Sequence, residues 1–249
     1  MTKQLISGLL LLSFSALAQS SFNFTINGNL RNVSDNSYAF IHHKWNGKDF
    51  TDSVKVKGGK FSFSGKGSEA NMFWMTKNRN ISEQLNLIFF VDGGKTNISA
   101  NIDSLPQAKV SGGQTQADYQ EYNAMMFGFG SKQQALVNAY NEAKYKGDAA
   151  TMNEKVAEYQ GLDKEVKASI ENFIKTHPKS AVSGYAIYYN NQNSNASIEE
   201  LERIVGLLDK SILNTKYGKL AQEKLIQLRG TTIGYPATNF AQATPDGKM

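Results

Sequence analysis

Cysteine is absent from all 249 residues. That absence excludes a disulfide-stapled scaffold, a thiolate metal centre, a cysteine nucleophile and a CxxC redox pair. Histidine is scarce at three residues, and tryptophan scarcer at two. Four prolines and 21 glycines are too few for a collagen-like or low-complexity chain. Arginine is nearly missing as well, with only Arg31, Arg79, Arg203 and Arg229. The formal charge of +5 therefore rests on lysines spread along the chain. Nucleic-acid binding calls for a basic stripe, commonly with arginine forks that grip phosphate, and none is present. The densest group, Lys55, Lys57 and Lys60, surrounds a turn. The lysines read as a solvated surface, and nucleic acid is not an expected partner.

Long apolar runs are missing except at the N-terminus. Leu5 to Ala18 is interrupted only by Ser and Gly, follows Lys3 and closes on Ala16-Leu17-Ala18. A positive start, a short apolar stretch and a small-x-small end make a signal peptide. The run is shorter than the roughly 20 residues that span a bilayer. Without cysteine there is no lipoprotein anchor. Residues 1–18 are expected to be removed, leaving an exported protein of the periplasm or cell envelope with no transmembrane segment. The five Asn-x-Ser/Thr triplets, at Asn23, Asn32, Asn80, Asn97 and Asn195, are little more than 23 asparagines yield by chance, and do not argue for glycosylation.

Beyond the leader, the chain divides into two regions by period. From Phe22 to Gly113 apolar residues alternate, as in Phe22, Phe24 and Ile26, which is the pattern of half-buried strands. Further strands are expected at Tyr38–His43, Asp52–Val56, Lys60–Phe63, Ala70–Thr76, Leu85–Val91, Asn97–Ile102 and Ala108–Val110. Glycine-rich turns recur about every ten residues, and Gly58-Gly59 and Gly93-Gly94 read as hairpins. Residues 19–113 are therefore expected to form an antiparallel β-sandwich or partly open barrel, and the chain an α+β protein. Phe89-Phe90 within a continuous apolar run marks a strand buried on both faces.

After Gly113 the period becomes 3.6, and residues 114–230 are expected to be helical. Leu136, Ala139, Tyr140 and Ala143 share one helix face. Met152, Val156, Tyr159, Val166, Ile170, Phe173 and Ile174 mark a second helix, stopped by His177-Pro178. Ile198 to Leu208 and Tyr217 to Leu228 mark two more. Thr151-x-x-Glu154 and Ser197-x-x-Glu200 have the form of capping boxes.

Chemistry is hard to find. His42 and His43 are adjacent on a strand and point to opposite faces, so they cannot chelate one ion together. His177 sits at a helix end, where a positive charge suits the macrodipole. No G-x-S-x-G elbow exists, and Glu199, Glu200 and Glu202 belong to a helix N-terminus. Gly93-Gly94-Lys95-Thr96 lacks the upstream glycine of a phosphate loop. No catalytic, cofactor or metal residue emerges. The candidate ligand surface is aromatic, Trp45, Phe73 and Trp74, suited to stacking on a glycan or peptide; neighbouring Phe73 and Trp74 face opposite ways, so at least one belongs to the core.

Phe24-Thr-Ile-Asn-Gly28, Asp52-Ser53, Gly59-Lys-Phe-Ser-Phe63 and Phe89-Phe-Val-Asp-Gly-Gly94 together resemble a β-rich domain of unknown function. That domain precedes thioredoxin-like domains in Gram-negative envelopes, and Val110 to Tyr122 resembles its exit into a helical connector. Ile233-Gly-Tyr-Pro-Ala-Thr-Asn-Phe240, followed by Thr244-Pro-Asp-Gly-Lys248, resembles the opening of the redoxin and TlpA-like thiol–disulfide oxidoreductases. Gly234, Pro236, Ala237, Phe240, Asp246 and Gly247 match that opening, whereas Thr238 stands where proline is usual. The resemblance implies that residues 231–249 are the truncated start of a thioredoxin-like domain whose W-C-x-x-C site is missing from the chain. The chain is then expected to be a non-enzymatic partner of that domain, with envelope proteins or peptides as further candidate partners and no cofactor. The competing expectation is a stand-alone envelope module that binds glycan or peptide.

Overall fold

The computed structural model describes residues 21–45, 47–79, 86–192 and 196–231. The leader 1–18, Asn46, Asn80, Leu85, Asn195 and the motif at 233–248 lie outside the described residues. Eight strands come first: β1 Phe22–Arg31, β2 Tyr38–Trp45, β3 Lys48–Lys55, β4 Lys60–Gly67, β5 Asn71–Thr76, β6 Asn86–Val91, β7 Gly94–Asn101 and β8 Lys109–Ser111. They form two four-stranded sheets, in the orders β4-β1-β7-β8 and β3-β2-β5-β6. The sheets stack as an open sandwich, so the barrel alternative is not realised. One pairing departs from the antiparallel expectation, because β1 and β7 run parallel.

Alternation fills the space between the sheets. Phe24, Ile26, Ile41, Phe73, Met75, Phe89 and Ile98 are buried there together. Between β1 and β4, phenylalanine repeatedly faces glycine: Phe22 opposite Gly67, Phe24 opposite Gly65 and Phe61 opposite Gly28. Each ring covers its glycine so closely that a Cβ on Gly65 would lie 2.5 Å from the Phe24 ring.

The two glycine pairs behave differently from simple hairpins. Gly58 and Gly59 both have positive φ and close a tight turn between Lys57 and Lys60, but the flanking β3 and β4 belong to different sheets. Gly93 and Gly94 likewise carry the chain from β6 in one sheet to β7 in the other. A glycine pair specifies the reversal, not the sheet that receives the next strand.

Six helices follow: α1 Gln114–Lys146, α2 Ala149–Thr176, α3 Ala181–Asn191, α4 Ile198–Val205, α5 Lys210–Leu213 and α6 Lys216–Thr231. Ser197 caps α4 by accepting the Glu200 N–H, as its spacing predicts. At α2 the cap is instead Asp148, whose carboxylate accepts from Thr151 N and Oγ1. Thr151 is thus inside the first turn. Helix α3 has no amphipathic signature, because Ala181, Val182, Ser183, Gly184, Ala186 and Ile187 are all buried. Gly184 lets it cross α6 closely: a Cβ there would lie 2.7 Å from the Tyr217 carbonyl oxygen.

The helices attach to the outer face of the second sheet. Met72 and Phe90 leave that face to pack with Tyr119, Tyr122, Phe173, Val182, Ile187 and Tyr217 in a second core. Phe90 is fully buried on this side while Phe89 is fully buried on the other, as the continuous apolar run predicts. The edge of β6 is closed by the start of α1. Buried Gln116 accepts the Phe90 N–H through Oε1 at 2.8 Å, and Asp92 Oδ2 accepts the Thr115 N–H at 2.9 Å. Further out, α1 and α2 continue as an antiparallel pair, joined by Gln133–Tyr159 and Lys132–Glu165 contacts.

Candidate functional site

Strand alternation separates the aromatic trio read from the sequence. Phe73 turns inward and is buried, in edge-to-face contact with Phe24 and stacked on Phe89. Trp45 follows the parity of Ile41 and His43 to the rim of the same face, where it is half-buried. Trp74 turns outward, half-buried against the helical core. Of the three, Trp74 alone lines a broad cleft beside the helices.

That cleft, of about 1050 Å³, opens where the helices cover the second sheet incompletely. Met72 and Trp74 form its floor, Tyr185 and Tyr188 of α3 one wall, and Lys216 and Leu220 of α6 the other. Lys44 and Asp49, an ion pair at 3.4 Å beside the β2–β3 turn, stand at its mouth. Glu69 ties the layers together by accepting the Lys216 backbone N–H at 2.8 Å. Tyr217 does the same from the other side, its hydroxyl accepting the Met72 N–H at 3.1 Å.

The least exposed lysine lining this cleft is Lys216. Its ammonium donates to Asn71 Oδ1 at 2.6 Å and to the Lys44 carbonyl at 3.3 Å, and it lies 5.1 Å from the centre of the Tyr217 ring. Burial lowers its pKa, since removing the ammonium from water disfavours the charged form. The neighbouring Lys44 adds to the shift, whereas Glu69 and Asp49 oppose it. The tyrosines behind the wall move the other way. Burial raises the hydroxyls of Tyr185 and Tyr217, and that of Tyr119 to about 12. They stay neutral, presenting rings and O–H donors. The cleft sets apolar and aromatic side chains beside a few polar groups, a chemistry that suits a ligand with an apolar or aromatic part and a polar group. It pairs no nucleophile with a base.

A second depression, of about 640 Å³, lies between α2, α3 and α4. Four of its charged residues form two ion pairs, Asp163 with Lys167 and Glu171 with Arg203. Arg203 meets Glu171 at 2.6 Å and, with Lys175, holds that carboxyl down at about 2. The histidines are structural in their contacts. His42 is buried on the outer face between Thr51 and Thr76, and His43 stacks on Phe50 across the sheet. His177 stacks on Phe173 at the end of α2. No cluster of three or more His, Asp or Glu side chains suited to a metal occurs among the described residues.

Periodicity alone missed Tyr185, Tyr188 and Lys216. A helix whose first four residues are all buried and whose outward side carries tyrosines shows no apolar-polar alternation, although the aromatic density of Tyr185-Ala-Ile-Tyr-Tyr189 was a usable signal.

Residues 24–119 match the model of a family described as a domain of unknown function, DUF4369. The matched segment covers the sandwich from the first strand and ends within α1. No curated protein matches the chain.

Proposed function

We propose that this chain is the exported, non-catalytic portion of a thioredoxin-like thiol–disulfide oxidoreductase of the cell envelope. In this reading the sandwich and helices position a redox domain or present its substrates. The observation that carries it is the succession of a DUF4369-like sandwich, a helical connector ending at Thr231, and the redoxin-like opening Ile233 to Lys248. Thiol–disulfide exchange requires a thiolate, and the chain has none. Catalysis is therefore assigned to cysteines of the partner domain. Reading the gene beyond the Met249 codon tests the proposal. An in-frame W-C-x-x-C within one domain's length is expected, and its absence from the following domain length would sink the reading. The purified chain alone should reduce insulin no faster than buffer does.

The cleft supports a second reading, a binding module for glycan or peptide centred on Trp74. Because the chain has two tryptophans, Trp45→Phe leaves Trp74 as the sole indole reporter. A glycan and peptide panel should shift the fluorescence of that variant, and Trp74→Ala should weaken binding about tenfold or more, as expected for losing an aromatic contact worth ~1–3 kcal/mol. A flat response across the panel counts against a ligand here.

A further inference from the structure

The cleft between the second sheet and α6 holds a half-buried cation that is already fixed in place. Lys216 stands on the cleft wall, and Asn71 behind it is only 1 % exposed. Both halves of the Asn71 amide are committed. Its Nδ2 donates to the Lys44 carbonyl at 3.0 Å, and its Oδ1 accepts from the Lys216 ammonium at 2.6 Å. A buried amide oriented in this way keeps the ammonium in one position before any ligand arrives. An ammonium has three protons to donate. Asn71 and, at 3.3 Å, the Lys44 carbonyl take two, which leaves the third for an incoming acceptor.

The carboxylates nearby are turned to other groups. Asp49 pairs with Lys44 at 3.4 Å. Glu69 accepts the Lys216 backbone N–H at 2.8 Å, and its charge only partly offsets the burial of the ammonium, whose pKa stays below the usual lysine value. Lys219 and Glu223 are exposed further along α6 and cancel in sign. Among the described residues Lys216 is in no ion pair. A cation half out of water and without a carboxylate partner attracts one strongly, because part of its desolvation has occurred in folding.

Beside this cation the surface is apolar. Met72 and Trp74 lie on the floor, Leu220 on the α6 wall, and Ile226, 58 % exposed, further along it. Such a lining offers few partners to the hydroxyls of a neutral sugar, which would lose water without replacement. The α6 wall runs from Lys216 to Gln227, about 16 Å of helix. A peptide of about five extended residues lies along that length, so a segment can run through the cleft and present its side chains to the wall.

We propose that the cleft binds an extended peptide segment through an acidic side chain on Lys216, with a neighbouring apolar or aromatic side chain against Trp74 and Leu220. This narrows the glycan-or-peptide reading of the cleft, on which it rests, to a peptide carrying both groups. Hexapeptides blocked at both ends and free of Trp and Tyr are the probe, made as twins that differ only in Glu or Gln beside Leu or Phe. They are titrated against the Trp74 fluorescence of the Trp45→Phe chain, alongside neutral and acidic oligosaccharides. Glu members should bind, and their Gln twins about tenfold or more weaker, the scale of a hydrogen bond to a charged group. Lys216→Gln, which retains a donor for buried Asn71, should remove that preference, with circular dichroism checking its fold. Lys219→Gln, at an exposed position on the same helix, should leave the preference as it is. The twin comparison needs no variant at Lys216 and decides by itself if that chain misfolds. Glu and Gln twins that bind alike refute the proposal while leaving the cleft a binding site, and so does a preference that survives Lys216→Gln. Binding of oligosaccharides without any peptide refutes it in the same way. Silence from every peptide and oligosaccharide sinks the reading of the cleft itself, and the proposal with it.

Discussion

His42 shows how a side chain with no catalytic context can still set a physical property. The Thr76 hydroxyl gives its proton to the Asn78 carbonyl, so it accepts from His42 Nε2–H, and Nδ1 faces Thr51. Burial is the main cause lowering its pKa below 6.5, with Arg79 and His43 adding repulsion. A base whose folded pKa is depressed binds its proton more readily when unfolded. Its contribution is intact above the unfolded value of 6.5 and is lost as the pH falls from there toward the folded value. Urea midpoints should therefore decline below about pH 6.5, by at most ~1.4 kcal/mol per pH unit from this group. His42→Gln should flatten that limb while lowering stability at neutral pH. Gly65 acts at the same scale. Gly65→Ala drives a methyl into the Phe24 ring and should cost about 1–3 kcal/mol by denaturant titration, the range for overpacking.

Among the elements, the junction between β6 and α1 matters most. The change of period places the boundary at Gly113, and the helix indeed begins at Gln114. The packing places it later. Thr115, Gln116, Asp118 and Tyr119 are buried, so the first two turns of α1 complete the sandwich. The family match also runs through these turns, to residue 119. Gln116→Leu should leave the Phe90 N–H unpaired in the core and cost ~1–3 kcal/mol. A chain cut at 113 should melt below one cut at 126. Periodicity locates strands and helices where one side is wet, which is why β1, β4, α4 and α6 were legible. It failed at α3, whose exposed side is tyrosine rather than charge, and at the parallel β1–β7 pair, where alternation is blind to strand direction. Of the candidate site, Trp74 was legible, but Lys216 could be identified only after α6 had been laid across β5.

The whole molecule is a sandwich and a helical layer sharing one sheet, with Phe89 anchoring one core and Phe90 the other. Coupling through adjacent residues should make the two parts unfold together. Phe90→Ala is expected to lower stability by ~3–5 kcal/mol and to keep a single calorimetric transition; separate transitions would show that the layers fold independently.

The continuity of α1 has a mechanical consequence. Its first turns are fixed to β6 through Gln116 and Thr115, and its far end emerges at Gly147. The intervening 33 residues rise about 50 Å without interruption by proline. Fixed to the sheet at its base and stiffened by α2 along its outer length, the helix is a lever arm. A tilt of about 5° at the clamp would carry the tip roughly 4 Å, turning a small adjustment of the sandwich into a displacement comparable to an atomic diameter.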